Sequence, residues 1–225
     1  MGMTKINEKS SRKIPLPVVR RLAKYREYVN GVACRGCSWI TSMDIAADLG
    51  LTSATVRRDI FHLNFNGCTK RGYDTAQLEN VLTKALGLHK ECNVVIVGAG
   101  NLGRALALHG DLVRMGFKIR GIFDNDKKLK SKKVAGLVIQ GMNALSTVVK
   151  KYAVGIGIIA VPSPSAQSVA NQLVKAGVHG ILNLACANVL LPKSVHVVEA
   201  RIAASLSELC CCVRMAAGST AAALA

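Results

Sequence analysis

Three glycines at 98, 100 and 103, in "VVIVGAGNLGRALALHG", have the spacing of a turn that holds a diphosphate. Val94 to Val97 before them are β-branched and apolar, which predicts a buried strand; the chain from Leu102 predicts a helix with Leu106, His109 and Val113 along one side. In that setting Gly98 permits the tight turn, Gly100 lets a diphosphate approach the backbone, and Gly103 brings helix against strand. The amides along Gly98, Ala99, Gly100, Asn101, Leu102, Gly103 and Arg104 can then turn their N–H groups towards an anion. Asp124 ends a second predicted strand, Lys118 to Phe123, and stands 21 residues after Gly103. An acid at that distance accepts hydrogen bonds from the adenosine ribose hydroxyls and disfavours a 2′-phosphate, so NAD(H) is expected over NADP(H). Lys127 and Lys128 leave the 2′-phosphate alternative open, and they read equally as a solvated loop.

A second constellation is basic. Thr41 and Asp44 have capping-box spacing before a short helix carrying Ile45, Ala46 and Leu49 inward, and Gly50 can end it in the left-handed conformation. "SATVRRDIFHL" follows, with Val56, Ile60 and Leu63 on one helical face and Thr55, Arg58 and His62 on another, flanked by Ser53 and Arg57. Helix, glycine turn and a helix with an Arg pair make a helix-turn-helix pattern, and an Arg fork suits guanine O6 and N7 in the major groove. The Arg pair alone would look the same on a solvated bundle helix, and His62 the same as an ordinary surface histidine. "CTKRGYD" then predicts a wing in which Lys70, Arg71 and Tyr73 approach the DNA backbone, and "SSRK", ending at Lys13, adds a basic arm. The few aromatics form no stacking platform, so double-stranded DNA is favoured over single strands or RNA.

These sites need two domains, and 225 residues can supply two small cores. With 30 Lys and Arg against 13 acids, the charge of +17 favours a polyanionic partner, although a merely basic protein would share it. The expected division is a DNA-binding domain over 1–88, a nucleotide-binding domain over 89–200 and a helix with tail over 201–225. In the first, Pro17 opens a helix with Val18, Leu22, Tyr25 and Val29 inward, and Gly31 to Cys37 reads as loop. In the second, helix and strand alternate: helices over 143–152 and 163–176, strands over 155–161, 180–183 and 195–198. A parallel sheet would put Val161 and Pro162, and Asn183 and Leu184, at its carboxyl edge, where ligands bind. In the third, Ile202, Leu206 and Leu209 form an apolar stripe that needs a partner surface.

Several classes are disfavoured. No apolar run reaches the roughly 18 residues of a membrane span, no signal-peptide core is visible, and Ile6 spoils a myristoylation reading of Gly2; a cytoplasmic protein with no membrane partner is expected. The eight cysteines are then mostly reduced thiols. Cys34 and Cys37 form a single C-x-x-C without matching ligands, and consecutive Cys210, Cys211 and Cys212 point in different directions, so no metal is expected. Only six acids occur from Glu91 onward, and His109, His179 and His196 are scattered, so no acid–base relay suggests an enzyme.

The motifs together resemble the Rex family of redox-sensing transcriptional repressors over roughly residues 12 to 210. "KIPLPVVRRLAKYREYV" is similar to its first helix, "SATVRRD" to its recognition helix and "KRGYD" to its wing. "VGAGNLGRAL", "FDND", "AVPSPSAQ" and "AGVHGILNLA" follow the order of its nucleotide domain. The resemblance implies an α/β chain: an N-terminal winged helix-turn-helix, then a Rossmann-like parallel sheet with a swapped C-terminal helix starting near Arg201. It further implies a homodimer on a pseudo-palindromic operator, released as NADH rises. The chain departs from the family at Phe61 to Asn64, at Leu184 and at Arg201, where an acid is usual. Rival readings are a thiol-based redox regulator, a regulator sensing a CoA-like ligand, and a small NAD-dependent oxidoreductase.

Overall fold

The computed structural model describes residues 14–222, with side chains to residue 215; Lys13 and its basic arm lie outside the described residues. The chain divides between Lys90 and Glu91 into two compact units. No helix among the described residues is long and apolar enough to cross a membrane.

The first unit comprises α1 (Leu16–Cys34), β1 (Trp39–Ile40), α2 (Ser42–Leu49), α3 (Ser53–Phe61), β2 (Tyr73–Asp74) and α4 (Thr75–Ala85). Val18, Leu22, Tyr25 and Val29 of α1 meet Ile45, Val56, Ile60, Leu78 and Leu82 in one buried cluster. Where a loop is expected from Gly31, α1 instead continues to Cys34. Glycine weakens a helix interior by about 1 kcal/mol, and burial of Val32 one residue later outweighs that. Thr41 and Asp44 form the reciprocal capping box, and Gly50 ends α2 at φ 62°. β1 and β2 pair antiparallel, so the wing is anchored where the chain enters α2.

The second unit is a seven-stranded sheet in the order β5-β6-β4-β3-β7-β8-β9. Its strands are β3 (Cys92–Val97), β4 (Phe117–Phe123), β5 (Lys133–Val134), β6 (Leu137–Gln140), β7 (Ile156–Ile159), β8 (Gly180–Asn183) and β9 (His196–Glu199). All neighbours are parallel except β5 and β6. The helices are α5 (Asn101–Leu108), α6 (Gly110–Arg114), α7 (Leu145–Lys151), α8 (Ser163–Ala176) and α9 (Ile202–Ala222). The chain leaves β3 in one direction and returns to add β7 on its other side. That reversal opens a crevice at the carboxyl ends of β3 and β7.

Two elements of the second unit also differ from expectation. The helix after the glycine turn breaks at His109, whose ψ of 100° is extended, and restarts as α6. Gly110 is a poor helix interior residue, while Asp111 suits the first turn of a new helix. The lysine-rich segment after Asp126 also contains a hairpin: Lys133–Val134 pairs with Leu137–Val138 across a two-residue turn with Ala135 and Gly136 at positive φ.

The first unit is tied together by a buried carboxylate. Asp59, on the inner face of α3, accepts from Arg21 Nε at 2.6 Å, Arg21 Nη2 at 2.8 Å and Tyr25 Oη at 2.7 Å. Burial pushes the Asp59 carboxyl up, but the Arg21 and Tyr25 hydrogen bonds prevail and hold it below its ordinary range. Burial, followed by the bond to Asp59, pushes Tyr25 up. A depressed folded value stabilises the fold above the unfolded carboxyl's range, and the contribution is lost as pH falls through the folded value. Asp59→Asn should therefore lower stability by about 3 kcal/mol at neutral pH. Chemical denaturation at falling pH should show the native and variant chains converging in acid.

Candidate functional site

The glycine turn stands at the crevice of the sheet. Gly98 has φ 106°, and a Cβ there would overlap the Ala160 carbonyl oxygen at the end of β7. Gly103 is buried in the first turn of α5, where a Cβ would overlap the Gly98 carbonyl oxygen. Both are packing constraints. Gly100 differs: a Cβ there would meet nothing within 4 Å, so its backbone borders open space. Gly100 is also the N-cap of α5 and provides no side-chain cap. The first intrahelical bond is from Arg104 N to Gly100 O, which leaves the amides of Asn101, Leu102 and Gly103 ahead of the helical ladder. Arg104 itself donates from Nη2 to Asn101 Oδ1 at 2.9 Å.

Asp124 lies across the turn at the end of β4. Its Oδ2 accepts the Ala99 N–H at 2.6 Å and its Oδ1 the Asp126 N–H at 2.8 Å. The carboxylate thus joins the glycine turn to the loop after β4, and each oxygen retains a lone pair for a hydroxyl donor. The cleft is walled by Gly98, Gly100, Asp124, Asn125, Asp126, Leu129, Met142, Val161, Pro162 and Ser165, among others. Open space at Gly100, uncapped amides and a carboxylate beside them fit a dinucleotide's diphosphate and ribose.

Val161 and Pro162 line the cleft, but Asn183 and Leu184 are absent from its wall. Asn183 is fully buried; its amide donates to Ala187 O at 2.7 Å and its Oδ1 accepts the Ala185 N–H at 3.1 Å. It shapes the loop after β8. Leu184 packs beside the apolar cluster of β3, β4 and β7. Sequence reading missed Leu129, Met142 and Ser165. Ser165 had a local signal, lying in the first turn of the helix expected from Ser163; Leu129 and Met142 reach the cleft through chain folding alone.

In the first unit, α3 begins at the Thr52 cap, whose Oγ1 accepts the Thr55 N–H at 3.2 Å. Thr55 Oγ1 is 2.9 Å from Thr52 Oγ1, so its hydroxyl serves the cap. Arg57 Nη1 donates to Ser42 Oγ at 3.3 Å and Ser53 Oγ at 3.4 Å, and so bridges α2 and α3. Arg58 is exposed and makes no side-chain hydrogen bond or ion pair among the described residues. His62 caps the far end of α3 and is half-buried. Lys70 and Arg71 are exposed on a tight turn closed by Cys68 and Gly72. Tyr73 departs from the expectation of a DNA-facing side chain. It is 8% exposed, and its ring stacks on Phe65 with centroids 6.0 Å apart. Within β2 Tyr73 is buried and Asp74 less so, while Arg71 lies outside the strand in the wing turn.

Comparison with known proteins matches both units. Residues 13–60 match the model for a putative DNA-binding protein N-terminus, and residues 89–187 the model for a CoA binding domain. The chain is 40% identical over 197 residues to the redox-sensing transcriptional repressor Rex of Carboxydothermus hydrogenoformans, covering 88% of this chain and 95% of that one. It is 34% identical over 196 residues to the Rex of Clostridium perfringens, covering 87% and 92%. Among solved structures, RSP in complex with β-NADH matches with a TM-score of 0.82 at 30% identity, over 95% of this chain and 99% of that one. RSP in complex with β-NAD+ and operator DNA matches with a TM-score of 0.82 at 28% identity, over 92% and 95%. A winged helix-turn-helix unit followed by a parallel sheet with this glycine turn, and these relatives along most of its length, make the chain a member of the Rex family of redox-sensing transcriptional repressors.

Proposed function

We propose that this protein binds operator DNA through α3 and the wing and lets it go when NADH occupies the glycine-turn cleft. The observation that carries the reading is Gly100: alone among the turn's three glycines, it borders open space beside uncapped amides and Asp124. Of the amides expected to face the diphosphate, those of Gly98, Ala99 and Arg104 are taken up within the fold by Phe123 O, Asp124 and Gly100 O. Those of Asn101, Leu102 and Gly103 therefore hold it, with Asp124 on the adenosine ribose and Val161 and Pro162 at the far end of the cleft. The NADH and operator complexes of the RSP structures support this assignment. The protein senses the nucleotide rather than consuming it, in the cytoplasm; a cleft wall whose ionisable groups are Asp124 and Asp126 supports sensing.

On the DNA side Arg58 reads a base edge in the major groove, while Arg57, bridging Ser42 and Ser53, sets the two helices for docking. The working form is a homodimer. Residues 201–215 are exposed along α9, and Ile202, Leu206, Leu209 and Val213 are each about 60% exposed. A second apolar surface lies open on the sheet, lined by Ile119, Ile156, Ile158, Leu182 and Val198. Two such faces on one chain call for a second copy, with α9 exchanged between protomers.

NADH, and not NAD+, should weaken binding to a duplex selected from a random-sequence pool. Gly100→Ala should unfold at the native temperature yet lose NADH response, whereas Gly103→Ala should lower the unfolding temperature. NADH response surviving in Gly100→Ala would remove the diphosphate from this turn. Arg58→Ala should cost about 1–3 kcal/mol on the selected duplex and relax its sequence preference; unchanged affinity and preference would exclude base readout there. A chain ending at Ala200 should be monomeric by light scattering, bind the duplex weakly and retain NADH affinity. A dimer of that truncated chain would deny α9 its role.

A further inference from the structure

The wing is a five-residue turn. Cys68 N donates to Gly72 O at 2.7 Å, Gly72 N to Cys68 O at 3.0 Å, and Arg71 N to the same Cys68 oxygen at 3.2 Å. Gly72 has φ 89°, and a Cβ there would overlap the Ile40 carbonyl oxygen, so the turn's base is pressed against β1. Trp39, the residue before Ile40, pairs with Asp74 across the ladder. Its indole, half-buried and flat, lies under the wing: the Arg71 guanidinium carbon is 4.2 Å from the ring centroid. Arg71 makes no hydrogen bond or ion pair with a side chain among the described residues.

That geometry bears on what an exposed arginine can do. A guanidinium stacked on an aromatic face keeps its N–H donors pointing outward in its own plane, where they match the oxygens of a phosphate. Stacking also restricts a long side chain that would otherwise lose its rotamer freedom on binding. A Trp face is the strongest of the aromatic partners for a cation. The guanidinium of Arg71 is therefore held over the indole before any anion arrives.

We infer that Trp39 is a positioning residue for phosphate recognition, holding Arg71 of the wing as a preformed fork for the DNA backbone. The inference rests on the DNA-binding reading of the first unit and adds a residue to it. Phosphate contact carries no base information, so the effect is uniform across sequences.

The test is a double-mutant cycle on the full chain, with binding to the selected duplex and to a scrambled one measured at several salt concentrations. Arg71→Ala should weaken both duplexes and lower the salt slope by about one. Trp39→Leu should weaken both by about two- to fivefold, the equivalent of an exposed cation–π contact, and Trp39→Phe by less. Neither change at Trp39 should have a further effect in the Arg71→Ala background. Additive losses there would make Trp39 merely structural and overturn the inference, as would an Arg71→Ala chain with native affinity and slope. Should Trp39→Leu fail to fold, Trp39→Phe carries the same cycle. Trp39 is the one tryptophan of the chain, so its fluorescence in the native protein should change when a duplex binds and return when salt releases it. An unchanged signal on a bound duplex would also overturn the inference. Failure of the native chain to bind either duplex would instead strike the DNA-binding reading, and this inference with it.

Discussion

A helix proposed to meet a polyanion must be cationic outside, yet something must hold its inner face in one orientation. Here that task falls to Asp59, which follows the exposed Arg58 and is itself buried. Removing a carboxylate from water is costly unless its lone pairs are filled, and Arg21 and Tyr25 fill them from α1. A charged, directional contact fixes the rotation of α3 about its axis in a way that Val56 and Ile60, which can slide in an apolar core, cannot. The buried acid inside sets where the arginines outside can point.

The second unit uses a carboxylate for a similar end. Asp124 accepts one amide from the glycine turn and one from the loop that follows β4, so two segments from separate strands hold a common geometry. Gly98 and Gly103 permit this because their backbones pack against Ala160 and against each other with no room for a side chain. The glycines thus divide into two that allow the turn to pack and one that keeps its front open. The proposed diphosphate site rests on that division, since the cleft wall holds no positively charged side chain.

The apolar surfaces of the second unit connect fold to assembly. α7 and α8 bury one side of the sheet with Val148, Val169 and Leu173, whereas the opposite side stays open beyond Val94 and Ile119. No helix follows β8; the chain passes through Asn183 and the loop it shapes directly to β9. The open sheet face and the exposed residues of α9 are the surfaces that the proposed homodimer would cover. In the proposed dimer, α9 places the nucleotide-binding units under one constraint, through which occupancy of a cleft can be felt by both DNA-binding units.

What the amino-acid sequence determined by itself is the part governed by local rules. The capping box at Thr41 and Asp44, the left-handed Gly50, the limits of α8 and the strand–turn–helix around Gly98 all depend on neighbours within a few residues. Those are legible because cap bonds, backbone φ and hydrophobic period are short-range quantities. Tertiary structure decided the rest. It turned Tyr73 inward onto Phe65, spent the Asn183 side chain on its own loop, and gave Arg57 to Ser42 fifteen positions away. It carried α1 past Gly31 because Val32 could be buried, and brought Met142 and Leu129 to the cleft. Each of those outcomes depends on which distant surface a side chain meets, and burial energy is settled by that meeting rather than by sequence spacing.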